Sequence, residues 1–286
     1  MDPANPGWPQ ALATRRCFVR AAVGALSAVA TCHLTSDGNA TAADAPPDAR
    51  GPGGPGSDGP LVSEADLLKL HREAPIFLGY MKPAIRYLPD GGMDAAMFFT
   101  CPAWSQGCFP RLRKGGVKVT TLSFGLNDPD LFPGRVGVSR VVQSIGAFLQ
   151  AAADHPGEIE VALTAVDLDR IMAAGKMAVV LHLTGVHLDG SLEMLHAYHA
   201  IGVRSVHPPF DTRANTGVDL WRQDAAMTPF DRRVVQELVR LRMVIDLSHA
   251  SDGMIAEILR LTDVPVIISH GMCRALSDTK RNLSDG

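Results

Sequence analysis

The chain has 286 residues, 46% of them hydrophobic, and its 27 basic and 30 acidic side chains leave a net charge of −3. That length and composition can bury a large core. The near-neutral balance, without a basic stripe, argues against nucleic acid as a partner.

The first sixty residues stand outside that core. Thr14-Arg-Arg-Cys-Phe-Val-Arg20 precedes an uncharged run from Ala21 to Leu34, and Ala40-Thr41-Ala42 follows. Basic, apolar, then small-residue cleavage site is the order of an export signal. Arg15-Arg16 with Phe18 resembles the twin-arginine type, which exports folded proteins. Residues 1–42 are therefore expected to be a signal peptide, placing the mature chain in the periplasm or outside the cell. The alternative is an amphipathic or anchoring N-terminus, for which the apolar run is short of a bilayer's thickness. Residues 43–60 are mostly Pro, Gly, Ala and Asp, the composition of a flexible linker.

From Leu61 the pattern is globular. Asp66–Arg72 reads as a short helix, Ala74–Tyr80 as a first strand and Gly116–Phe124 as a second. Arg140–Ala153 carries helical spacing in Val141, Val142, Ile145, Phe148 and Leu149. Val166–Ala174 is expected as a helix, Lys176–Leu183 as a strand, Leu192–Ile201 as a helix ended by Gly202, and Val203–Val206 as a short strand. Pro229 opens the next helix, through Leu241. Cys101 and Cys108 are close enough either to pair in an oxidising compartment or to remain thiols; Cys273 is left over.

Two apolar runs near the C-terminus each end in Ser-His: Met243-Val-Ile-Asp-Leu-Ser-His249 and Val264-Pro-Val-Ile-Ile-Ser-His270. Between them Ser251 caps a helix with apolar positions at Ile255, Ile258, Leu259 and Leu261. This strand–helix–strand unit puts both imidazoles at the carboxyl ends of parallel strands, the edge where barrels of this type carry their chemistry. Strands alternate with helices throughout, the pattern of an α/β barrel or a doubly wound sheet.

Several blocks together resemble the membrane (renal-type) dipeptidases, zinc hydrolases with a TIM-like (β/α)8 barrel. They are Asp167–Lys176, Gly185–Leu195, Ile201-Gly-Val-Arg204, Asp246-Leu-Ser-His249, Pro265–His270 and Lys280–Leu283, with Leu70–Pro75 and Gly91–Phe99 earlier. The resemblance covers most of residues 65–286 and implies a barrel over 61–286. It implies hydrolysis of dipeptides by two zinc ions bridged by a glutamate. His249 and His270 match the two histidines of one ion, and Arg281, beside Asn282, matches the arginine that holds the substrate carboxylate. A guanidinium meets a carboxylate through two parallel hydrogen bonds, and neutral imidazoles suit zinc.

The rest of the family's site is replaced. Tyr80 stands for a zinc histidine, Lys82 for a zinc aspartate and Thr184 for the bridging glutamate. His182, two residues before Thr184 and on the same strand face, is either a substitute ligand or a histidine packed against helices. Val206-His-Pro-Pro-Phe210 puts Phe210 at the place of a substrate-binding histidine, with His207 three residues early. The sequence ends before the segment matching the barrel's last strands, so the expected barrel is incomplete: a fragment, a truncated product or a chain completed by a partner. One zinc ion at most is expected. Two functions remain in view, a metallodipeptidase of doubtful activity and an inactive relative that binds one metal ion or a small peptide or amino acid; a homo-oligomer is compatible with either.

Overall fold

The computed structural model describes residues 63–87, 93–103, 105, 107–125, 138–185, 188–208, 226–279 and 282–284. The expected signal peptide and linker, and Arg281, lie outside the described residues.

The elements, in order, are α1 (Glu64–Glu73), β1 (Ile76–Met81), β2 (Arg86–Tyr87), β3 (Met93–Asp94), α2 (Met97–Thr100), α3 (Phe109–Lys114), β4 (Val117–Phe124), α4 (Val138–Ala153), β5 (Ile159–Val161), α5 (Ala165–Ala173), β6 (Met177–Thr184), α6 (Leu192–Ala200), β7 (Val203–His207), α7 (Pro229–Arg240), β8 (Val244–Ile245) and α8 (Asp252–Leu261). The strands β1-β4-β6-β7-β8 form one sheet in that order, with β5 also paired to β6. Every pairing in it is parallel. A single bridge from Asp246 to Ile267 continues the parallel order into the second Ser-His run. With helices between successive strands, this is the half-barrel of an incomplete (β/α)8 fold. β2 and β3 pair antiparallel beside it.

Local chemistry sets the helix starts. Thr164 and Thr228 each head a capping box, with Asp167 and Asp231 returning bonds to the cap backbone. Pro229 sits in the first turn of α7, where its missing N–H costs nothing. Ser251 accepts from the Met254 N–H to open α8. Gly202 closes the turn after α6 at a φ of +106°, where a Cβ would press on Leu163 and Leu181. Cys101 and Cys108 form a disulfide with their Cα atoms 5.0 Å apart, and Cys273 is free and exposed.

The sheet's two faces differ. Phe124, Leu183, Val206 and Ile245 stand side by side across β4, β6, β7 and β8 and join the main core under the helices. There Phe148 is fully buried, edge-on to Phe98 at 5.7 Å and tilted against Phe124 at 5.8 Å. One residue earlier, Ser123, His182 and Ser205 make a row on the opposite face, and Thr184 and His207 follow. Because side chains alternate along a strand, these buried polar groups share one face. Their position, toward the carboxyl ends of parallel strands, is where a site is built in this architecture.

Candidate metal centre

Three imidazoles meet at that edge. His207 ends β7, His249 follows β8, and His270 ends the second Ser-His run; their ligand nitrogens all lie within 4.8 Å of one another. Ring centroids are 5.1 Å apart for His207 and His249, 5.7 Å for His207 and His270, and 4.8 Å for His249 and His270. The Nε2 atoms of His249 and His270 are 2.9 Å apart. His249 has a left-handed backbone, φ 67°, at the bend where the chain leaves the strand for α8. Histidine tolerates that conformation better than most residues.

The tautomers can be read from the partners. His207 Nδ1 lies 2.5 Å from the carbonyl of Pro208, which can only accept, so Nδ1 carries the proton. Its Nε2 therefore presents a lone pair, buried and without a hydrogen-bond partner among the described residues. Burial pushes the pKa of His207 well below 6.5, with neighbouring His182 acting in the same sense, which keeps the ring neutral. A buried acceptor left unpaired costs about 1–3 kcal/mol, and a bound cation would satisfy it.

Behind the cluster lies Asp246, fully buried. Its Oδ1 accepts the backbone N–H of Ser248 at 3.0 Å and of Ser269 at 3.1 Å, and its Oδ2 accepts the Ser269 hydroxyl. Burial alone would raise its pKa; the Ser269 hydroxyl, the Ser248 amide and His182 outweigh it and hold the carboxyl below 3.8. Ser269 Oγ also lies 2.7 Å from His270 Nδ1.

His182 stands apart from the three-histidine set. Its Nδ1 is 2.9 Å from Ser205 Oγ, and its Nε2 faces Asp246 Oδ2 at 4.0 Å, beyond hydrogen-bond reach. Burial pushes its pKa down to about 4 against the pull of Asp246. Its neighbours are the Tyr80 and His207 rings, Ser205 and the buried Asp246 carboxylate, so it lies within the polar face of the site and outside the three-imidazole set.

The positions matched to the family's other ion carry different chemistry. Tyr80 Oη is 3.1 Å from Thr184 Oγ1, which is also bonded to Ser123 Oγ. The Tyr80 ring stacks on His270 at 3.9 Å between centroids. Lys82 is exposed, one residue past β1. Neutral hydroxyls bonded to each other offer neither the charge nor the bridging oxygens a second divalent ion needs. Among the described residues, His207, His249 and His270 fit one ion, and the hydroxyls at the positions matched to the other ion do not fit a second. Asn282 spends its side-chain amide on the Ser277 carbonyl, 2.7 Å away, within its own turn.

Sequence reading underweighted His207. Measured against the resemblance it sits at the wrong place, yet it ends a strand in an imidazole, as His249 and His270 do.

Residues 64–286 match the family model of the membrane dipeptidases, peptidase family M19. Human dipeptidase 3 is 30% identical over 190 residues, covering 63% of this chain and 37% of the relative. Dipeptidase tcpJ of Claviceps purpurea is 34% identical over 136 residues, 46% of this chain and 32% of its own. The chain thus spans about a third of the length of the curated relatives it matches. In fold it is similar to the probable dipeptidase PvdM from Pseudomonas aeruginosa, with TM-score 0.63 and 21% identity over 77% of this chain and 58% of that one. It is similar also to a metallo peptidase from Rhodobacter sphaeroides liganded with a phosphinate mimic of the dipeptide L-Ala-D-Ala, with TM-score 0.56 and 22% identity over 74% and 69%.

Proposed function

The chain belongs to the membrane dipeptidase family, peptidase family M19, and on that premise we propose that it is a one-metal relative. It holds a single divalent ion, zinc by family, and takes a small peptide or amino acid there without the two-ion hydrolysis of dipeptides. The observation that carries this reading is the hydroxyl chain Tyr80–Thr184–Ser123 at the positions matched to the other ion's ligands.

His207, His249 and His270 would hold the ion, and three imidazoles leave room for one further ligand. Such an ion polarises a bound carbonyl or lowers the pKa of bound water. The chain's own groups do less. His207 is held by Pro208 with its Nε2 exposed to the ion's place, and the stacked Tyr80 ring covers one face of His270. Asp246 accepts three hydrogen bonds from groups that orient the loops, so it is a fixed anion and not a mobile proton carrier. A peptide-like ligand is supported by the dipeptide mimic bound to the Rhodobacter sphaeroides relative. Among the described residues no helix is long and apolar enough to cross a membrane; an exported location rests on the twin-arginine-type leader.

The test is hydrolysis of a panel of L,L- and L,D-dipeptides by the zinc-loaded chain. Turnover at the level of a metal-free blank, with retained zinc, is expected. Turnover abolished by chelation and restored by zinc would overturn the non-hydrolytic reading.

A further inference from the structure

The second Ser-His run differs from an ordinary strand end in what its serine does. Asp246 Oδ1 accepts two backbone N–H groups, which favours the carboxylate form. A carboxylate only accepts, so the contact between Ser269 Oγ and Asp246 Oδ2 uses the single hydroxyl proton of Ser269. The other close partner of that hydroxyl, His270 Nδ1 at 2.7 Å, must then be the donor. With its proton on Nδ1, His270 turns an Nε2 lone pair toward His249, whose Nε2 lies 2.9 Å away and is the donor in the metal-free chain. Ser248 braces the same segment differently: its Oγ accepts the His270 backbone N–H at 3.1 Å and lies 3.3 Å from Ser269 Oγ.

We infer that Asp246 is a positioning residue that acts through Ser269, fixing His270 in the tautomer whose Nε2 faces the other two imidazoles. The arrangement lengthens by one hydroxyl the carboxylate–histidine pair that commonly orients metal-ligating imidazoles. It also places one full negative charge, screened from water, behind the three imidazoles. The inference rests on the reading that these imidazoles take one ion, and the experiment separates the two.

The first arm needs no metal. In the metal-free full chain with ¹⁵N-labelled histidine, and His270 assigned through H270Q, the ¹⁵N shifts of His270 are expected to report the Nδ1–H tautomer. In S269A they are expected to move toward a tautomer mixture. The second arm measures zinc affinity by chelator competition. S269A is expected to weaken binding about 10–100-fold, the usual cost of losing such a hydrogen-bond partner behind a ligand. A wild-type His270 protonated on Nε2 would overturn the inference. So would S269A binding zinc as the wild type does. Wild-type protein that takes up no zinc would sink the one-metal reading instead, with the tautomer arm still deciding the relay.

Discussion

Acid should unfold the metal-free protein early, and one residue supplies a measurable part of the effect. His182 is fully buried, bonded to Ser205 at 2.9 Å, and burial lowers its pKa from 6.5 to about 4. In the unfolded chain it regains the ordinary value. The unfolded state then takes up the proton first, so the stability tied to the neutral ring is fully present above about pH 6.5. It drains as pH falls toward about 4. At about pH 5 the linkage relation gives a loss of about 2 kcal/mol from this residue. That is a large share of the roughly 5–15 kcal/mol that holds a domain together. Asp246 titrates below 3.8 in the folded chain and stays charged across this window. The assay is urea unfolding by far-UV circular dichroism at about pH 7.5 and about pH 5, with chelator present, on wild type and H182Q. His207 titrates in both proteins, and without His182 its pKa is less depressed, so the difference between them reports His182 together with its effect on His207. Wild type is expected to lose about 2 kcal/mol more than H182Q over this interval. Equal losses in the two proteins would refute the reasoning.

Three further outcomes follow from the geometry. H207A removes one of three neutral ligands; with structural zinc worth about 10–16 kcal/mol over four ligands, zinc affinity should fall by at least about 100-fold, and a fall under about threefold would exclude His207 from the site. Y80F keeps the ring on His270 but loses the hydroxyl bonded to Thr184, so urea unfolding should report about 1 kcal/mol lost with zinc binding unchanged; loss of zinc would make the phenol a ligand. F148A empties a fully buried ring site between Phe98 and Phe124 and should cost about 3–5 kcal/mol, read in the same titration.

Much of the fold is written in local signals. The helical spacing from Val141 to Leu149 marks α4, and Gly202 and Ser251 mark helix ends by backbone conformation and capping. Other features depend on partners distant in sequence. β5 is three residues long and exists through its pairing with β6, so no local pattern announces it. The Met243–Ser248 run narrows to a two-residue β8, and the run before His270 to a single bridge at Ile267, since Pro265 brings no N–H to the ladder. At the site, the Ser-His repeat pointed to His249 and His270. The grouping of His207 with them follows from the register across β6, β7 and β8, which a single sequence does not display. The relay through Ser269 likewise depends on Asp246, 23 residues away along the chain.

On the function proposed above, the site takes one ion through His207, His249 and His270. Zinc equivalents per chain, measured by mass spectrometry after equilibration with excess zinc and exhaustive dialysis, test it most directly. About one equivalent is expected in wild type and a clear loss in H207A, because three imidazoles make one site. About two equivalents in wild type, or one equivalent that survives H207A, would contradict it.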